Sequence, residues 1–261
     1  MAPRFFRFTG DHFIETPTNL SQLSGWWQSL TVADLDNDGR KDLVLGNIGE
    51  NFYLHPDSTH PVKLWINDFD QNGITDKILT RTIGDKDMPL FLKGDMETQI
   101  PSLKKQNLKH SDYAKRSIQE LLAPQSLKNA QVKTFNFCTS IIAFNEGHGH
   151  FRVQRLPTMA QLSSVNAAVS TDINHDGHPD LILAGNEFGF LPQFGRLDGN
   201  FGQLLLGDGH GAFQYIDQRH SGLDLRGQVR DIAPISAAGK LYLLFLLNDE
   251  YPVLYALKTD Q

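Results

Sequence analysis

Short apolar runs set between acidic or glycine-rich turns dominate the pattern of the chain. Leu43-Val44-Leu45, Ile78-Leu79 and Leu181-Ile182-Leu183 each follow an Asp-rich turn at once. Brief apolar runs bounded by turn residues predict β-strands. Phe5-Phe6-Arg7-Phe8, Leu241 to Leu247 and Val253 to Lys258 add further strands, and a strand is also expected from Gly25 through Trp26 and Trp27 to Ala33. Helical spacing is confined to one segment. There Ser111 is expected to cap a helix carrying Tyr113, Ile118, Leu121 and Leu122, Pro124 to stop it, and Pro101 and Ser126 to mark short helices on either side. No apolar stretch approaches the roughly 18 residues of a membrane-spanning helix.

Aligning the chain with itself exposes a repeat. Asp34-Leu35-Asp36-Asn37-Asp38-Gly39-Arg40-Lys41-Asp42 recurs as Asp68-Phe69-Asp70-Gln71-Asn72-Gly73-Ile74-Thr75-Asp76 and as Asp172-Ile173-Asn174-His175-Asp176-Gly177-His178-Pro179-Asp180. Each copy runs into an apolar strand. A glycine-rich turn ending in Phe recurs at Phe13, Phe151 and Phe213, which is the mark of a hairpin. Asp34 follows Phe13 by 21 residues and Asp172 follows Phe151 by the same interval. Asp231 follows Phe213 by 18 and is read as opening a decayed loop, up to Lys240, that keeps its exit strand and binds no metal. The Asp68 copy has no matching Phe turn. Residues 95–130 read as a basic helical insertion, with Lys104, Lys105, Lys109, Lys115, Arg116 and Lys128 on a solvated face or in a binding patch.

Carboxylates or amides at loop positions 1, 3, 5 and 9, with glycine at 6, converge hard oxygens on one point, and calcium takes about six to eight such ligands. The expected ligands are Asp34, Asp36, Asp38 and Asp42 with the Arg40 carbonyl; Asp68, Asp70, Asn72 and Asp76 with the Ile74 carbonyl; and Asp172, Asn174, Asp176 and Asp180 with the His178 carbonyl. An EF-hand is excluded, because its position 12 needs a bidentate Glu and these loops place Leu45, Leu79 and Leu183 there. About three calcium ions are expected, and three divalent ions would carry the formal charge of −6 to zero.

The 261 residues suffice for a large core, and 22 glycines with 12 prolines suit short strands and tight turns. Net acidity argues against nucleic-acid binding, which draws on clustered Lys and Arg. The single cysteine, Cys138, is expected to be a buried inert thiol. His148, His150, His175, His178 and His210 follow the repeat rather than a zinc spacing and read as turn residues. Of Trp26 and Trp27, one is expected to point inward, the pair otherwise offering a platform for sugars. No nucleotide-binding loop and no G-x-S-x-G motif occurs.

The loops and Phe hairpins resemble the FG-GAP or VCBS repeats of integrin-α-like β-propellers. Gly25-Trp26-Trp27, Asp68-Phe69-Asp70, Gln99 to Lys105 and Ser111 to Lys115 resemble more narrowly large bacterial VCBS-repeat proteins related to the cartilage-acidic-protein group. The resemblance implies a mostly β fold over residues 1–261: a β-propeller showing about four repeat registers, read as the C-terminal arc of a larger ring. It also implies an extracellular or cell-surface setting, with any signal peptide outside this chain. The expected function is a non-catalytic, calcium-stabilised module that binds a protein or glycan without entering a membrane. The alternative is a calcium-dependent polysaccharide lyase, which abstracts a proton beside a uronate carboxyl group.

Overall fold

The protein is described from a computed structural model over residues 1–106 and 109–257. Lys258, expected in the last strand, lies outside the described residues. The chain opens with a hairpin of β1 (Phe5–Phe8) and β2 (Phe13–Thr16), then β3 (Ser29–Ala33) and β4 (Asp42–Gly46). Next come β5 (Val62–Asn67), β6 (Asp76–Ile83) and β7 (Lys86–Pro89). Among the described residues short helices follow: α1 (Lys93–Gln99), α2 (Leu103–Gln106), α3 (His110–Tyr113), α4 (Ile118–Leu121) and α5 (Pro124–Lys128). After β8 (Gln131–Phe135) the chain is again mostly strand: β9 (Ile141–Gly147), β10 (His150–Arg155), β11 (Val165–Thr171), β12 (Asp180–Gly185), β13 (Gln203–Gly207) and β14 (Phe213–Ile216). Helix α6 (Gln218–Ser221) leads to β15 (Val229–Ala237), β16 (Lys240–Leu247) and β17 (Val253–Ala256). The fold is mostly β, with several antiparallel sheets.

Contacts group the chain into two compact units. One comprises Leu54–Phe137 with Met1, and the other Ala2–Tyr53 with the described residues from Cys138 onward. The region expected over residues 1–261 therefore carries an insert between β4 and β9.

The larger unit holds the sheets β10-β9-β4-β3, β11-β12-β13-β14 and β15-β16-β17, beside the β1–β2 hairpin. Central strands β4 and β12 are buried at every position, as their continuous apolar runs require. The first two sheets meet along β3 and β11, where Ser29 Oγ donates to the Val165 carbonyl at 2.9 Å and Thr31 Oγ1 to the Ala168 carbonyl at 2.6 Å. Val44, Ile142 and Phe144 pack there against Val165, Leu181, Leu183 and Leu205. The opposite face of the second sheet, with Ala167, Ile182 and Ala184, packs on Ile232, Leu243 and Phe245 of the third. Gly46 and Gly185 permit these close approaches: a Cβ would lie 2.0 Å from the Val165 carbonyl at the first and 1.9 Å from that of Ser164 at the second. Asn186 then joins the layers, accepting from Asn200 N and Ser163 Oγ and donating to the Asn200 and Gly227 carbonyls.

The smaller unit is the sheet β7-β6-β5-β8 with helices over it. Phe69 and Ile78 pack with Met96, Ile100, Leu103, Tyr113, Ile118 and Leu121, which is what holds helices of four to seven residues in place. Buried Asp87 is held by Lys63 Nζ at 2.8 Å, Thr82 Oγ1 at 2.9 Å and Gln119 Nε2 at 2.8 Å.

Several expectations are corrected here. Ser111 lies inside α3 instead of capping a longer helix. The stronger cap is Ser117, whose N–H donates to the Glu120 carboxylate three residues on at 2.8 Å, and the helix breaks before it. Pro124 opens α5 at its first position, where its fixed φ and missing N–H cost nothing, and does not end a helix. The decayed loop at Asp231 is no loop. Stripped of carboxylates, it becomes strand β15, which pairs with β16 through a two-residue turn, Ala238-Gly239, at φ 50° and 76°. The strand expected from Gly25 begins only at Ser29, so alternation along a strand does not govern Trp26 and Trp27. Both are half-buried.

Candidate metal centre

All three Asp-rich loops connect paired strands or lead into them, and they share one turn. The carboxylate at position 1 accepts from the backbone N–H groups of positions 5 and 6: Asp34 from Asp38 (3.2 Å) and Gly39 (3.0 Å), Asp68 from Asn72 (3.0 Å) and Gly73 (2.8 Å), and Asp172 from Asp176 (3.2 Å) and Gly177 (3.0 Å). Position 5 accepts from the N–H of position 7, as Asp38 does from Arg40, Asn72 from Ile74 and Asp176 from His178. The fourth and sixth residues have positive φ in every copy, 58° to 61° at Asn37, Gln71 and His175 and 85° to 86° at the glycines. Position 2 enters the core as Leu35, Phe69 and Ile173.

The ninth aspartate closes each loop. Asp42 Oδ2 accepts from Leu35 N at 2.8 Å and Oδ1 from Asn145 N at 2.8 Å; Asp180 does the same with Ile173 N at 2.8 Å and Gly207 N at 2.9 Å. Asn145 and Gly207 begin the Phe hairpin turns of the same sheets. One carboxylate thus ties each loop to the Phe hairpin turn that follows it in the same sheet, not to the turn 21 residues before it. Asp76 accepts from Phe69 N at 3.0 Å, in a unit without the Phe turn. Burial pushes the carboxyls of Asp42, Asp76 and Asp180 above the ordinary range, against the pull of these N–H groups and with the repulsion of neighbouring aspartates. Asp176 is held below that range by the His178 N–H and the Asn174 amide.

Carboxylate oxygens of Asp34, Asp36 and Asp38 lie within 4.8 Å of one another, and so do those of Asp68, Asp70 and Asp76. Asp36 Oδ1 and Asp70 Oδ1, both at position 3, are buried without a hydrogen-bond partner. A buried anionic oxygen lacking a donor is costly. A cation among these carboxylates would relieve it, so the donor sets fit a hard divalent ion. Asp42 stands apart from the first cluster because its oxygens are engaged between the strands, whereas Asp76 joins the second. The third loop brings no such trio together among the described residues, and its Asn174 amide donates to Asp176 Oδ2 at 2.8 Å. The first and third loops touch: Asn37 Nδ2 lies 3.3 Å from His178 Nδ1 and 3.4 Å from the Gly209 carbonyl.

Away from the loops, Trp26, Phe52, Tyr53, Phe190 and Phe194 form an aromatic cluster in the larger unit. The Tyr53 and Phe194 rings stack at 4.3 Å, and Trp26 meets Phe52 edge-on at 5.5 Å. Its members lie far apart in sequence, so spacing alone gave no signal beyond the tryptophans. Lys104, Lys105, Lys109, Lys115 and Lys128 are exposed on the helical layer of the smaller unit. Cys138 is buried, its thiol pushed up to about 11 by desolvation. Among the described residues no helix is long and apolar enough to cross a membrane.

The family model for the FG-GAP-like repeat matches residues 1–45, which span the first hairpin, β3, the Asp34–Asp42 loop and most of β4. No curated protein matches the chain.

Proposed function

We propose that the chain is a non-catalytic binding module of β-propeller type, stabilised by calcium and working outside the cell on a protein or glycan. The observation that carries this reading is the pair of buried, partnerless oxygens, Asp36 Oδ1 and Asp70 Oδ1, at one position of two loops of the same design. Asp34, Asp36 and Asp38 would hold one ion and Asp68, Asp70 and Asp76 another, with Asp172, Asn174 and Asp176 a weaker third. Arg40, Ile74 and His178 would add backbone carbonyls. The ion would supply positive charge to crowded carboxylates and so convert binding energy into folding energy. The FG-GAP match and the side-by-side first strands of the larger unit's sheets support the propeller reading. Recognition would fall to the aromatic cluster around Trp26 and Tyr53 or to the basic helical layer, because the loop carboxylates would be taken up by the ions and by their own turns.

Calorimetric titration with calcium, paired with thermal melting, tests this. One site filled at a hundredfold excess over Kd adds about 2.7 kcal/mol, which for a chain of this size raises Tm by roughly 5–11 °C. Equal melting in calcium and in EDTA, with no heat of binding, overturns the calcium reading. Product formation from pectic or alginate polymers in a uronate-lyase assay overturns the non-catalytic one.

A further inference from the structure

We propose that Arg40 is a built-in counter-cation of the first loop, standing in for a divalent ion when none is bound, so that this loop takes calcium more weakly than Asp68–Asp76 does. The proposal rests on the calcium reading of both loops. Their shared turn makes the seventh position directly comparable, and it is Arg40 in one loop and Ile74 in the other. The Arg40 guanidinium pairs through Nη2 with Asp38 Oδ2, while its Nε donates to the Asn145 carbonyl at 2.5 Å. One side chain thus joins a loop carboxylate to the hairpin turn that Asp42 also holds. Asp38 is the member of the first cluster neutralised in this way.

Nothing comparable serves the second loop. Ile74 is 68% exposed and uncharged. Among the described residues, no ion pair reaches Asp68, Asp70 or Asp76. A divalent ion entering the first loop must displace the guanidinium from Asp38 or bind beside it. Repulsion between a double and a single positive charge about 5 Å apart, even at the dielectric of water, weakens binding on the order of tenfold. The second loop meets no such opposition and has its ninth carboxylate within the cluster.

The test is a calcium titration by calorimetry in single-loop backgrounds. With the second and third loops disabled by Asp70→Asn and Asp176→Asn, Arg40→Gln is expected to tighten binding at the first loop about tenfold. With Asp36→Asn and Asp176→Asn instead, Ile74→Arg is expected to weaken the second loop by a similar factor. Melting gives an independent readout: in EDTA, Arg40→Gln unfolds at lower temperature than the wild type, and the gap closes in saturating calcium. Calcium binding that is unchanged or weaker after Arg40→Gln, with no loss of Tm in EDTA, overturns the role of Arg40 and leaves the calcium reading standing. Absence of calcium binding in the wild type and in every variant overturns both.

Discussion

Asp42, Asp76 and Asp180 share the ninth loop position, and burial raises the pKa of all three. An acid whose folded pKa lies above its unfolded one costs stability while ionised, and the cost fades as pH falls through the folded value toward the ordinary 3.8. A bound cation acts in the opposite sense, favouring the ionised form. On the calcium reading proposed above, in which Asp76 lies within the second cluster, the gain in Tm is therefore expected to be largest near neutral pH and to shrink as pH falls from 7 toward 4. Melting curves in calcium and in EDTA across that range measure it, and a gain that stays constant would contradict the geometry. The turn residues were legible from spacing because their partners lie within nine positions. The second partners of Asp42 and Asp180, Asn145 and Gly207, lie 103 and 27 residues away, and no local pattern announces them.

At the scale of elements, the Gly-Asn pairs that end β4 and β12 matter as much as the loops that start those strands. Neither Gly46 nor Gly185 has positive φ, so their need is steric: a Cβ would meet a neighbouring carbonyl at 2.0 Å or less. Gly46→Ala and Gly185→Ala are each expected to cost roughly 2–4 kcal/mol. Gly94→Ala, in α1 with nothing within 4 Å of the new Cβ, should be neutral or stabilising. Urea unfolding of the three variants checks the ordering. The Phe hairpins and exit strands were readable because hairpin turns and apolar runs are local signals. Ser117 prevailed over Ser111 through Glu120, which completes a capping box three residues on, where Ser111 has only Ala114. At Asp231 the repeat register favoured a loop, yet a segment with no carboxylate after Asp231 has no reason to leave the sheet, and β15 continues as far as Ala237.

Across the whole molecule, the insert between β4 and β9 is the feature that sequence order hid. β4 and β9 are hydrogen-bonded neighbours, pairing Leu43 with Ala143, Val44 with Ile142 and Leu45 with Ile141. The smaller unit has its own sheet, its own core and its own Asp-rich loop. Replacing Leu54–Phe137 with a short Gly-Ser linker is therefore expected to leave the larger unit folded, since a shorter loop lowers the entropy cost of bringing β4 to β9. Circular dichroism with a cooperative melt would bear this out; a molten or aggregated product would count against it. Such a nested arrangement is invisible to a reading that seeks repeats in series, because the pairing that defines it spans nearly a hundred residues.

The same nesting has a consequence on the ribosome. Strand β4 leaves the exit tunnel with its apolar faces bare, and its partner β9 follows only after the whole insert has been made. At about 5–20 residues per second, that delay is on the order of ten seconds, far longer than a hairpin needs to form. The insert has time to fold around its own Asp-rich loop while β3 and β4 wait as a half-built sheet.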